Sequence, residues 1–315
     1  MASVAPPVKA GRRPESVQPG GGWVVRLEQG WGRLRRAWLR RARPGFVRRM
    51  LAKRQGDCPN CPHDIIDPRD LKYVRNVCGY WFQPADDPFR WRDRLGFARY
   101  GLAELVVFTL LFLVVAAPLV VLAIAWHWAM WIPAGLAFLL WLEVPWFFRD
   151  PERRIPADPR ALVSPADGTV THVGEVDDPD FPGGRAFRIS IFLSVFNVHV
   201  NRIPRAGRVV DVRYFPGEFL DARHAQCAVR NEQLWIDLEE PSGRFLRVKQ
   251  ISGAIARRIV CRLKIGETVE KGERLGMIKF GSRTDLLVPV EAGLETLIKV
   301  GDKVKGGATV LLRVP

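Results

Sequence analysis

The chain has 315 residues, 48% apolar and 26% charged, with a mean hydropathy of −0.03. That mixture excludes whole-chain disorder and a polytopic transporter, and five cysteines are too few to staple a fold of this size. The net charge of +15 is uneven: residues 1–101 hold 21 Lys and Arg against 9 Asp and Glu, a net of +12, which points to an anionic partner such as nucleic acid or a membrane surface.

Residues 1–22 are rich in Pro, Gly and Ser and read as a disordered leader with no signal peptide. Residues 23–101 then form a basic, partly amphipathic segment. Within it Trp23, Leu27, Trp31, Leu34 and Trp38 recur at helical spacing, with Arg26, Arg33, Arg35, Arg36, Arg40 and Arg41 on the remaining surface. Trp and Leu opposite Arg suits a helix lying among anionic headgroups; Gly30 and Gly32 weaken that helix, and the competing reading is a disordered basic tail.

Cys58-Pro-Asn-Cys61 has the spacing with which two thiolates share a tetrahedral metal. A structural zinc site needs four ligands, and the nearest further ones are His63 and the lone Cys78. The expectation is therefore reduced, surface-lying thiols and no metal. Cys227 and Cys261, in strand-like surroundings, read as small core residues.

From Leu105 to Leu142 the chain carries no Asp, Glu, Lys or Arg. Thirty-eight uncharged residues are too many for one membrane crossing and about right for two, at roughly 20 residues each. The segment 102–148 is expected to be a transmembrane hairpin, Leu102–Ala125 and Trp128–Phe147, turning at Trp126-His127-Trp128; a buried hairpin in a soluble core is the alternative. Arg90, Arg92, Arg94 and Arg99 precede it and Arg149, Arg153 and Arg154 follow it, so both flanks are expected on the cytoplasmic side of the inner membrane. The Arg-rich start also permits a mitochondrial inner-membrane location.

After Asp150 short alternating apolar runs are separated by turn signals, which predicts a β domain over 149–315. Residues 265–272 and 300–307 share one pattern, an apolar residue, Gly, an acid, then a Gly turn. Such paired hairpins occur in barrel-sandwich carrier domains, where a Lys is presented at an exposed tip; Lys279 is the nearby candidate. The fold class expected is mainly β, a barrel-sandwich-like catalytic domain preceded by a two-helix membrane hairpin.

Three motifs carry the chemistry: Ser164-Pro165-Ala166-Asp167-Gly168, Phe192 to Pro204 (FLSVFNVHVNRIP), and Phe280-Gly281-Ser282-Arg283-Thr284-Asp285. With Tyr214–Phe219, Asn231-Glu232 and Ile255–Val260 between them, they resemble the phosphatidylserine decarboxylase proenzyme family, in its short bacterial and archaeal form, over roughly residues 145–290. The resemblance implies self-cleavage between Gly281 and Ser282 into a β chain, 1–281, and an α chain, 282–315, which stay together as a heterodimer. It also implies that Ser282 becomes a pyruvoyl cofactor, which takes the amine of phosphatidylserine as a Schiff base and releases carbon dioxide and phosphatidylethanolamine.

By that resemblance His199 is the general acid and base and Asp167 fixes its tautomer; the longer bacterial form has a second His where this chain has Arg202. Arg202, Arg257, Arg258 and Arg283 are expected to bind the phosphodiester, with guanidinium forks suited to phosphate oxygens. The partners implied are a phospholipid substrate and a membrane, with no nucleic acid. Two alternatives stay open: an archaetidylserine-type decarboxylase, and a non-enzymatic membrane-anchored adaptor.

Overall fold

The computed structural model describes residues 23–59, 61, 63–74, 77–224, 226–254, 258–279 and 281–315. The expected leader, 1–22, and Arg257 lie outside the described residues. Helix α1 (Trp23–Ala42) confirms the helical reading of the basic segment, and α2 (Pro44–Lys53) follows it with proline in its first turn, where no N–H is lost. Trp23, Leu27, Trp31, Leu34 and Trp38 are all more than half exposed. The opposite face of α1 is the one that docks: Val25 joins a small core with Ile65, Leu71, Val74 and Cys78, while Arg35 and Arg36 reach Asp67 and Asp70.

Helices α3 (Leu102–Ala125) and α4 (Trp131–Phe147) form the hairpin, with Trp128–Met130 as a single 3-10 turn between them. Both are long and apolar enough to cross a membrane, and few of their residues are buried in the protein, unlike the core helices of a soluble fold. They touch through Phe112 stacked on Trp141, centroids 5.1 Å apart, and through Trp141 Nε1 donating to Thr109 Oγ1 at 3.0 Å.

The remainder is mainly β. Its strands are β1 (Ala161–Val163), β2 (Gly168–Asp177), β3 (Arg185–Leu193), β4 (Val200–Arg202), β5 (Gly207–Phe215), β6 (Gln233–Glu239), β7 (Phe245–Ser252), β8 (Arg258–Cys261), β9 (Thr268–Val269), β10 (Arg274–Lys279), β11 (Ser282–Val288), β12 (Glu295–Thr296), β13 (Lys303–Val304) and β14 (Val310–Arg313). The short helix α5 (Cys227–Arg230) precedes β6. Eight strands pair antiparallel in the order β13-β2-β3-β11-β7-β6-β5-β9, a sheet curled as a half barrel around an aliphatic core that includes Ile189, Ile191, Val212, Ile236, Val248 and Leu286. Two three-stranded sheets, β1-β14-β12 and β4-β10-β8, complete the domain.

The repeated pattern has a structural counterpart. Its two copies supply β9 and β13, the two edges of the large sheet, and Gly266, Gly272, Gly301 and Gly307 all take positive φ in the flanking turns. Lys279 is not presented at a tip: it is 2% exposed, its ammonium bound to Glu104 and to the Tyr100 carbonyl, so the carrier reading fails.

The base of the hairpin docks on the smallest sheet through Tyr100, Phe147, Phe148, Val198, Val200, Val260 and Met277. Lys279 and Arg258 face each other across β10 and β8, and both reach the Glu104 carboxylate from the first turn of α3. Three buried charges thus tie the apolar hairpin to the strand that runs into Gly281.

Candidate active site

Ser282 opens β11, the strand at the centre of the large sheet, between Leu193 of β3 and Ser252 of β7. It is fully buried, and its Oγ has no hydrogen-bond partner among the described residues. A buried hydroxyl left unpaired costs about 1–3 kcal/mol, so its retention calls for an explanation. Gly281, just before it, sits at φ +70° in a bend between β10 and β11. Its carbonyl is pressed against Gly253, where an added Cβ would lie 2.7 Å from the Gly281 oxygen.

Gly253 therefore sets the position of the carbonyl next to Ser282. If the bond between Gly281 and Ser282 is cut, as the family resemblance implies, Gly253→Ala is expected to fold but to be cut at least about tenfold more slowly, which requires only ~1.4 kcal/mol of misplacement in the transition state. A gel time course of newly made chain reads this directly, and an unchanged rate would dissociate Gly253 from the carbonyl's placement.

Asn201 joins the three motifs. Its Nδ2 donates to the Pro165 carbonyl at 3.2 Å and to Thr284 Oγ1 at 3.1 Å, and its Oδ1 accepts from Gln250 Nε2 at 2.7 Å. Thr284 lies two residues beyond Ser282 on the same face of β11, and Asn201 lies two residues beyond His199. This one contact holds the histidine segment against the serine strand. The Arg202 N–H adds a bond to the same Pro165 carbonyl.

His199 is fully buried, with its ring against Phe147 from the hairpin, centroids 4.2 Å apart. Nδ1 is bound to the Asn197 carbonyl at 2.9 Å, which makes Nδ1 the protonated nitrogen and leaves Nε2 with its lone pair and no partner among the described residues. Burial, with a smaller push from the Arg149 charge, lowers the imidazole's pKa to about 3, so it is neutral.

The sign of the pH effect follows. The unfolded imidazole takes a proton below 6.5 and the native one does not, so its contribution to stability is full above 6.5 and is lost as pH falls toward 3, by about 1.4 kcal/mol per pH unit. Glu232 acts oppositely: burial raises it to about 7, so its contribution is full below 4.5 and is lost as pH rises through 7. The difference between wild type and His199→Gln isolates the histidine. Unfolding between pH 7 and 5 is expected to fall away more steeply for wild type; parallel curves would contradict a neutral, buried imidazole.

The expected bond between Asp167 and His199 is not formed. Both Asp167 oxygens are held by Arg153, at 2.8 and 3.0 Å, and Oδ1 also accepts the Gly306 N–H at 2.8 Å. A carboxylate saturated in this way pins its own loop, while a backbone carbonyl fixes the histidine tautomer.

Of the four arginines named from sequence, the three within the described residues have internal partners. Arg202 bonds Asp150 at 2.7 Å and the Gly272 and Pro151 carbonyls. Arg258 pairs with Glu104. Arg283 pairs with Asp285 and Ser190, because strand alternation turns residue 283 to the face of the sheet opposite Ser282. Arg149, read from sequence only as a flanking charge, bonds backbone carbonyls and no carboxylate among the hydrogen bonds of the described residues. It stacks on Trp146 at 4.1 Å and donates to the Trp146 and Phe196 carbonyls at 2.5 and 2.7 Å, just past the C-terminal end of α4 and close enough to influence His199.

Two further groups escaped the sequence reading. Ser252, the rung partner of Ser282, has a buried hydroxyl with no partner among the described residues, and its N–H donates to the Glu232 carbonyl. Glu232 accepts from Tyr214 at 3.0 Å through Oε2. Its position beside Asn231 within a quoted motif was the available signal.

The family model for phosphatidylserine decarboxylase matches residues 144–312. A phosphatidylserine decarboxylase proenzyme of Rhodopirellula baltica is 49% identical over 246 residues, covering 77% of this chain and 98% of that protein. Proenzymes of the same description from Trichlorobacter lovleyi and Symbiobacterium thermophilum are 48% identical over 186 residues and 46% over 198, covering 59% and 62% of this chain and 83% and 89% of theirs.

Proposed function

The chain belongs to the phosphatidylserine decarboxylase family, and on that premise we propose that it cuts itself between Gly281 and Ser282 and then converts phosphatidylserine to phosphatidylethanolamine and carbon dioxide. The observation that carries this reading is the unpartnered, buried Ser282 hydroxyl on the central strand, next to a glycine carbonyl that Gly253 holds in place.

The steps of maturation are those the residues allow. Ser282 Oγ forms a bond to the Gly281 carbonyl carbon as the bond from that carbon to the Ser282 nitrogen breaks, giving an ester. The hydroxyl proton passes to a base, and the freed amine takes one up. His199 is the base we assign: neutral, with Nε2 open, and held by Asn201 against the serine strand. Loss of a proton from the Ser282 α-carbon then expels the Gly281 carboxylate as a new chain end, and water converts the remaining enamine to a ketone and ammonia. Glu232 keeps its proton up to about pH 7 and stands one rung beyond Ser252, which suits a donor in these later steps.

The surroundings fit a pyruvoyl group at residue 282, since the new end would remain anchored by pairing with Leu193 and Ser252 while Gly281 leaves from a bend. When present, that group supplies a carbonyl that captures the substrate amine and accepts the electron pair left behind by carbon dioxide. The α chain, residues 282–315, would contribute the central strand β11 and β12 to β14, which pair with β3, β7, β1 and β2; the two chains therefore stay assembled after the cut.

Arg149, just past the C-terminal end of α4, is the cation we assign to the substrate phosphodiester. The hairpin and the exposed Trp and Leu stripe of α1 would hold this site at the bilayer, with both flanks of the hairpin on the cytoplasmic side of the inner membrane.

Mass spectrometry of the purified chain tests the proposal. A fragment of 34 residues, about 4 kDa, with a ketone in place of its N-terminal amine is expected beside the large chain. An intact 35.6 kDa chain with residue 282 still serine would defeat the reading.

A further inference from the structure

Cys58, Cys61 and Cys78 come together outside the part of the chain that the family model matches. Their three sulfur atoms lie within 4.8 Å of one another, and Cys61 Sγ and Cys78 Sγ are 2.6 Å apart. Cys78 is 1% exposed, so the expected surface position fails for it, while Cys58 and Cys61 are half-buried. A bridge between Gln55 and Trp81 closes the loop and sets Gly56 against Gly79, at a distance where a Cβ on either would meet the other segment's backbone at 2.1 or 1.9 Å. That close approach carries Cys78 back to the Cys58-x-x-Cys61 turn.

Two backbone amides point at the sulfurs. The Tyr80 N–H donates to Cys78 Sγ at 3.4 Å, and the Gly79 N–H donates to Cys58. Amide donors of this kind favour thiolates and are the usual outer support of a thiolate–metal centre.

The surrounding unit needs a staple. Between Arg54 and Phe82 the described residues hold one 3-10 turn of four residues, Asp70–Tyr73, and its core is little more than Ile65, Leu71, Val74 and Cys78. So few apolar side chains cannot support a fold alone. Yet this unit joins α1 to the catalytic domain: Val25 of α1 packs into it, and Gly79, next to Cys78, accepts from Lys264 Nζ at 3.1 Å.

We propose that Cys58, Cys61 and Cys78 bind a zinc ion that staples this unit and so fixes the amphipathic helix α1 to the catalytic domain. Three thiolates select a soft tetrahedral ion, and binding displaces three thiol protons to solvent. His63, two residues past Cys61, is not part of this three-sulfur cluster, so the fourth position falls to a ligand outside it.

The test uses full-length protein purified in detergent with reductant and without chelator, and reads metal, not activity. About one zinc per chain is expected, falling below about a tenth in Cys58→Ser and in Cys78→Ser. Replacing the zinc in wild type with Co2+ should give thiolate-to-metal charge-transfer absorption, a readout that needs no variant to fold. Wild-type chain without zinc and without a cobalt spectrum, or with Cys61 and Cys78 recovered as a disulfide under the same reductant, would overturn the proposal. Because the readout does not depend on self-cleavage, its failure would leave the decarboxylase reading standing.

Discussion

Ser282→Ala is expected to remain a single chain of 35.6 kDa, to release no 34-residue fragment and to produce no carbon dioxide from phosphatidylserine. The variant removes one oxygen, and that oxygen is both the nucleophile of the cut and the atom whose departure with the Gly281 carboxylate leaves the enamine that water turns into the ketone. Most buried-site substitutions lose activity by loosening the fold, but this one is not expected to. The Ser282 hydroxyl is buried with no partner, so deleting it relieves a desolvation cost and leaves no orphaned group behind. Thermal unfolding of Ser282→Ala should match or exceed that of uncut wild-type chain. Cutting at 281/282, or carbon dioxide release at any rate above background, would exclude Ser282 as the source of the chemistry.

Asn201→Ala should have the next largest effect, through geometry alone. Asn201 is fully buried, and its amide is shared among the Pro165 carbonyl, Thr284 and Gln250. Truncation leaves Thr284 and Gln250 buried and unpaired, at about 1–3 kcal/mol each, while the Pro165 carbonyl keeps the Arg202 N–H, and a melting temperature lower by about 5 °C or more is expected. Self-cleavage should fall by about a hundredfold or more, because the histidine segment is no longer fixed against the serine strand. Gln250→Ala serves as the comparison. It removes one bond of the network and leaves the contact between Asn201 and Thr284, so it should lose stability with a much smaller loss of cutting. Equal rates in both variants would show that the contact to Thr284 has no part in placing His199.

Much of this architecture was legible in the chain itself. The 38 uncharged residues between Glu104 and Glu143 give the two apolar helices to within three residues of their observed ends. Five of the six Trp and Leu residues of α1, all but the buried Leu39, emerge as one exposed stripe because they recur at a spacing of three and four residues. The repeat at 265–272 and 300–307 marks the two edge strands of the sheet, since its glycines supply the positive φ that both turns need. The Gly281-Ser282 pair stands out only through the joint resemblance of the three motifs to the family, because a Gly-Ser pair alone is commonplace.

What the sequence could not give was the choice of partner. An arginine in a motif looks alike whether it meets a lipid phosphate or a carboxylate from another segment; Arg202 meets Asp150, 52 residues away, and Arg258 meets Glu104, 154 away. Asp167 was paired with His199 by motif logic, but Arg153 and the Gly306 N–H reach it first. Cys78 found Cys58 and Cys61 only through a backbone bridge that no spacing rule encodes. Local pattern is dictated by the geometry of one helix or strand, and the sequence carries that in full. Which buried charge neutralises which is decided when distant segments compete for each other out of water, and only the folded chain holds that outcome.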